Sequence, residues 1–90
     1  MPDPLALIIY SRPGCHLCEE MKALVTRVID RTSTEARLEE INVETDADLE
    51  RRFGLEVPVL MLNGKKVAKF RVSAETLERV LTAGGAGRVG

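Results

Sequence analysis

The sequence is poor in aromatic residues, with no tryptophan, one tyrosine and two phenylalanines, 3% in all. So few rings leave few platforms on which bases can stack. An excess of one charge is also missing, since 14 acids face 13 bases for a net charge of −1. With no basic patch along the chain, nucleic acid is not an expected partner. Long apolar runs are absent as well. None reaches the roughly 18 residues that a membrane span requires. The run at 5–10 is too short for a signal-peptide core and has no basic residues ahead of it. These absences predict a cytoplasmic chain that does not enter a membrane. Metal-ligating residues are scarce too, with one histidine, His16, and two cysteines, Cys15 and Cys18. A closed zinc site takes four ligands, so no metal site within a single chain is expected.

What is present suits one globular domain. The 90 residues are 44% hydrophobic and 30% charged, enough for a modest core and too apolar for disorder. Residues 5–10 form a continuous apolar run with the length of a strand buried on both faces. Arg12-Pro13-Gly14 breaks it with turn residues. From Cys15 the period changes: Leu17, Met21, Leu24, Val25 and Val28 recur at helical spacing, which predicts a helix over about 15–31. A second strand is expected over 37–43. Leu38 and Ile41 fall on opposite phases there, which calls for a bulge or a late start. Thr45-Asp46 can cap a short helix that carries Leu49 and Phe53, with Gly54 as its stop. A third strand over 57–62 leads into Asn63-Gly64, a strong hairpin signal, and a fourth strand over 65–70. Ser73 caps a last helix with Leu77, Val80 and Leu81 inward. The predicted order is β-α-β-α-β-β-α, an α/β fold with a mixed four-stranded sheet flanked by helices. One domain over 1–82 is expected, with a flexible glycine-rich tail at 83–90, and the chain is expected to be a monomer.

The two cysteines carry the chemistry. In an intracellular chain a C-x-x-C pair is more often catalytic or metal-binding than a structural staple. A loop this short would also remove little chain entropy. Cys15 falls at the start of the predicted helix, where unpaired backbone N–H groups favour negative charge. Such a position lowers a cysteine pKa from about 8.5 toward 7 or below. Arg12 adds positive charge nearby. Cys15 is expected to be the exposed nucleophile, with Cys18 one turn deeper as the resolving thiol. His16 allows two readings, a protonated imidazole that stabilises the thiolate or a solvent-facing residue in the first helical turn. Leu17 suits either an apolar cover over the active sulfur or ordinary packing. Two other functions use the same residues. One is a metal or iron–sulfur carrier bridging two chains, with glutathione or a second copy completing the ligands. The other is a non-catalytic binding module.

The stretches Y-S-R-P-G-C-H-L-C and V-P-V-L-M-L-N-G-K resemble the glutaredoxins and glutaredoxin-like proteins of the thioredoxin superfamily, over about residues 5–82. The resemblance implies a thioredoxin-like fold and a thiol-disulfide oxidoreductase acting in electron transport and cell redox homeostasis. It implies a cis peptide bond before Pro58, and a substrate chain docked on the backbone of Val57 as an added strand. Arg12 stands where glutaredoxins often carry a lysine that contacts the glutathione carboxylate. The implied partners are a disulfide-containing protein or small molecule, with glutathione or thioredoxin reductase as electron donor and no bound cofactor. Where glutaredoxins have Gly-Gly followed by acids, this chain has Ala68-Lys69 and no acids, which tilts the expected donor toward thioredoxin reductase.

Overall fold

The computed structural model describes residues 4–86. Its elements are β1 (Leu5–Ser11), α1 (His16–Thr32), β2 (Ala36–Asn42), a 3₁₀ turn (Val43–Thr45), α2 (Ala47–Phe53), β3 (Val59–Leu62), β4 (Lys65–Lys69) and α3 (Ala74–Ala86). The strands form one sheet in the order β2-β1-β3-β4. β1 and β2 run parallel, while β1–β3 and β3–β4 are antiparallel. This is the mixed four-stranded α/β arrangement expected from the sequence. The run at 5–10 became the second position of the sheet because both of its faces are covered.

On one face, Leu5, Leu7 and Ile9 of β1 meet Leu60 and Leu62 of β3, Met21, Val25 and Val28 of α1, and Leu77 and Leu81 of α3. Leu7 is 1% exposed, and truncating such a residue to alanine costs about 2–5 kcal/mol. On the other face, Val43, Phe53 and Val59 form a smaller cluster joined by Tyr10, Leu49, Val57 and Met61. There the Tyr10 and Phe53 rings stack, with centroids 4.6 Å apart.

Two covered faces explain the broken phase of β2. Its pairing with β1 runs unbroken from Leu5↔Ala36 to Ser11↔Asn42, so the expected bulge is not there. Leu38 packs into the α1–α3 layer, whereas Ile41 is paired beside Tyr10, whose ring belongs to the other layer. The irregularity lies instead between β3 and β4, where the register shifts at Leu60/Met61.

The caps follow the local chemistry. Asp46 accepts from the N–H groups of Asp48 and Leu49 to start α2. Ser73 Oγ accepts from Thr76 N–H at 3.1 Å to start α3. α1 ends on Ser33 in the left-handed region at φ 54°, with its N–H and that of Thr34 returning to Asp30 and Ile29. Asn63 (φ 49°) and Gly64 (φ 85°) make the two-residue hairpin, as primed turns require. Gly54 caps the end of α2, the stop expected of it. Its φ of −55° is right-handed, so it is no left-handed helix cap, and its reason is steric, as the site shows.

Three boundaries also move. β3 begins at Val59, after Pro58, and β4 ends at Lys69, before Phe70 turns to φ 65°. α3 continues to Ala86, so its last turn takes in the first part of the stretch expected as a tail. A terminal turn tolerates glycines that a helix interior would not. Residues 87–90 of that stretch lie outside the described residues.

Candidate active site

β1 delivers the chain to the site. Ser11 ends the strand, Pro13-Gly14 turn it, and Gly14 needs its freedom because its φ is +77°. The turn closes with Cys15 N–H donating to Arg12 O at 3.3 Å. Cys15 is then the N-cap of α1 in an extended conformation, at φ −87° and ψ 108°. Its Sγ accepts the backbone N–H of Cys18 at 3.0 Å. An N-cap position is normally filled by an oxygen side chain that meets the orphan N–H groups of the first turn, and here a sulfur does so. Cys15 is half-buried, whereas Cys18 is 1% exposed and faces the interior. The two sulfurs are joined in a disulfide, with Cα atoms 5.2 Å apart. The expected order, an outer first cysteine and a buried second one, is what the helix start produces.

His16 is the first residue of α1 and is exposed, which is its solvent-facing reading. Leu17 is half-buried beside it. Val57 and Pro58 are joined by a cis peptide bond immediately before β3. Because β3 runs antiparallel to β1 with Val59 opposite Tyr10, this bond lies at the end of the sheet from which the cysteine turn departs. Pro58 is fully buried, and its carbonyl accepts the N–H of Phe70 at 2.8 Å. That bond brings the end of β4 to the same end of the sheet.

Arg12 reaches with its guanidinium to α2 and the 3₁₀ turn before it. It donates to Glu44 at 3.0 Å, to Glu50 at 2.7 Å and to the Gly54 carbonyl at 2.8 Å. The hydrogen bond to Glu50, aided by both carboxylate charges, holds its pKa above the ordinary value against some desolvation. A Cβ on Gly54 would lie 2.4 Å from the Glu50 carbonyl and 2.9 Å from the Arg12 guanidinium. A side chain there would crowd the end of α2 first and the arginine with it.

A second polar cluster sits under the turn. Ser11, 4% exposed, donates to Glu40 at 3.0 Å, and Lys22 pairs with the other Glu40 oxygen at 3.0 Å. The Lys22 hydrogen bond lowers the Glu40 pKa, with Ser11 helping and desolvation opposing.

Between α1 and the connection from β4 to α3 runs an open groove of about 650 Å³, lined by Leu17, Met21, Leu24, Phe70 and Val72. Phe70 is 43% exposed and holds φ 65° in a tight γ-turn closed by Arg71 N–H on Lys69 O at 2.7 Å. A left-handed aromatic residue is a genuine outlier.

Sequence reasoning singled out Cys15, Cys18, Arg12, His16, Val57 and Pro58 as site candidates and gave no site role to Glu40, Glu50, Gly54 or Phe70. Only Glu40 left a trace, as an acid on a strand ending level with the cysteine turn.

A C-x-x-C turn capping the helix after the first strand, with a cis-proline opening the antiparallel neighbour, defines a thioredoxin-fold protein. A family model described as Glutaredoxin-like domain (DUF836) matches residues 6–82, and the chain belongs to that family. Among solved structures, protein Ne2328 from Nitrosomonas europaea is 29% identical, with 89% of this chain and 94% of that one covered at a TM-score of 0.75. The structural genomics target XcR50 from X. campestris is 28% identical over 86% and 96% of the two chains, with a TM-score of 0.72. Chloroplastic thioredoxin z shares the fold at a TM-score of 0.74 over 94% and 81%, with 15% identity. No curated protein sequence matches significantly. No helix among the described residues is long and apolar enough to cross a membrane.

Proposed function

We propose that this protein is a dithiol–disulfide oxidoreductase that reduces disulfides of proteins or small molecules. One observation carries the reading: the Cys15 sulfur caps α1 and accepts a backbone N–H, with Cys18 bonded to it from the buried side. In the reduced form the same N–H would stabilise a Cys15 thiolate. That thiolate attacks one sulfur of a substrate disulfide. A Cys15–substrate disulfide forms, and the other substrate sulfur leaves as a thiolate and takes a proton. Cys18, as thiolate, then attacks the Cys15 sulfur. The Cys15–Cys18 disulfide forms and the second substrate thiol departs. Two electrons and two protons pass from protein to substrate, and a Cys15–Cys18 disulfide, the state in which the two sulfurs are found, is what remains on the protein.

The other residues serve that exchange. The Val57 backbone beside the cis bond offers an edge on which an extended substrate chain adds as a strand. His16, exposed on the first turn, meets whatever approaches Cys15, and Arg12 fixes the turn from the α2 side. Glutathione or thioredoxin reductase would return the electrons, within cytoplasmic redox homeostasis.

The test is alkylation of the reduced protein by iodoacetamide across pH. Half-maximal reactivity of Cys15 at pH 7 or below is expected, and a midpoint at the free-thiol value of about 8.5 sinks the reading. Cys18→Ser should trap a mixed disulfide through Cys15, and Cys15→Ser should trap none.

A further inference from the structure

The groove along α1 is built from unlike parts. Its floor begins at Leu17, inside the C-x-x-C turn, and continues through Met21 and Leu24. Between Leu17 and Arg27 the helix rises about 15 Å, so the groove leads well away from the sulfurs. The wall is Phe70 and Val72, and Phe70 keeps its ring out through the left-handed γ-turn. Unfavourable backbone of this kind persists where the surroundings impose it, and it concentrates at binding sites. The rim carries Arg27, Arg71 and Glu20, all exposed. None of the three takes part in an ion pair among the described residues, so their charges are free to meet those of a partner. The balance of the rim is one positive charge, on an apolar floor.

We propose that this groove docks a polypeptide partner that seats an apolar side chain against Phe70 and sets an acidic flank on Arg27 and Arg71. The proposal rests on the oxidoreductase reading and deepens it, naming the preferred disulfide substrate as a protein with an acidic, apolar segment near its cysteine. A small thiol peptide is a poorer match on two counts. It does not extend along 15 Å of helix. The cation on the opposite side, Arg12, already has both of its acidic partners.

The test separates docking from redox chemistry by using peptides without thiols. Two fluorescent peptides are compared by anisotropy, one with a leucine pair followed by two glutamates and one with lysines in place of the glutamates. The acidic peptide should bind the protein roughly tenfold more tightly, the scale of two rim charges taken from repulsion to attraction. The preference should weaken with added salt and reverse in the double variant Arg27→Glu/Arg71→Glu. Phe70→Ser should weaken both peptides alike. Equal affinities for the two peptides, or a preference that charge reversal leaves in place, overturn the proposal. So do light-scattering data showing that the chain alone self-associates through this face, which would make a second copy the occupant. None of these readouts involves Cys15 or Cys18, so failure here leaves the alkylation result standing, and failure of that result leaves this one.

Discussion

Arg12 and Arg71 approach the cysteine turn from the two faces of the sheet, and the fold treats them differently. Arg12 is half-buried, meets two carboxylates and a carbonyl, and has a glycine cleared to receive it. Arg71 is exposed, has no ion-pair partner among the described residues, and follows the one aromatic residue held in a left-handed turn. The α2 side is thus finished within the chain, with its polar groups satisfied internally. The α1–α3 side keeps apolar area and charge unmatched. A site that must hold its own sulfur steady while accepting a foreign one needs both kinds of wall.

The strongest break in this contrast is Gly54→Ala. The new methyl would press on the Glu50 carbonyl and displace the Arg12 guanidinium, at a cost of about 1–3 kcal/mol of overpacking, read as a lower denaturant midpoint at unchanged m. The open side should respond the other way. Phe70→Gly and Phe70→Ala lose the same ring, yet only glycine accepts φ 65° freely. The glycine variant should be more stable than the alanine variant by about 1 kcal/mol, the reverse of the usual order, and equal stabilities would mean that the turn relaxes without the ring. The smallest effect concerns Glu40, whose pKa is lowered by Lys22 and Ser11. A lowered folded pKa stabilises above the ordinary carboxylate range and stops doing so as pH falls through the folded value. Glu40→Gln should therefore cost under about 1 kcal/mol near neutral pH, since the pair is partly solvated. In urea melts the difference from the parent protein should shrink as pH falls below the ordinary carboxylate range.

The sequence was most legible where one local signal decided the outcome. The change of period at Cys15, the Asn63-Gly64 pair and Ser73 placed a helix, a hairpin and a cap close to where they stand. It fell short where a residue answers to something distant. Gly54 does stop α2 as expected, but the sequence could not show that a side chain there would also crowd Arg12, 42 residues earlier. Ile41 looked out of phase because a strand between two apolar layers has no wrong face. Phe70 gave no warning, since nothing in a bulky aromatic suggests positive φ. The cysteines were legible because their spacing fixes their chemistry. Their setting was legible in part: the resemblance gave the cis bond before Pro58, whereas Phe70 is tied to that end of the sheet by a hydrogen bond to the Pro58 carbonyl that no neighbouring sequence announces.

The burial of Cys18 has a kinetic consequence. Only the Cys15 sulfur of the oxidised pair can be met from outside. On the proposed reading, whatever regenerates the protein must strike the same atom that the substrate has just left. Donor and acceptor therefore exclude one another, and steady-state rates should follow a ping-pong pattern of parallel double-reciprocal lines.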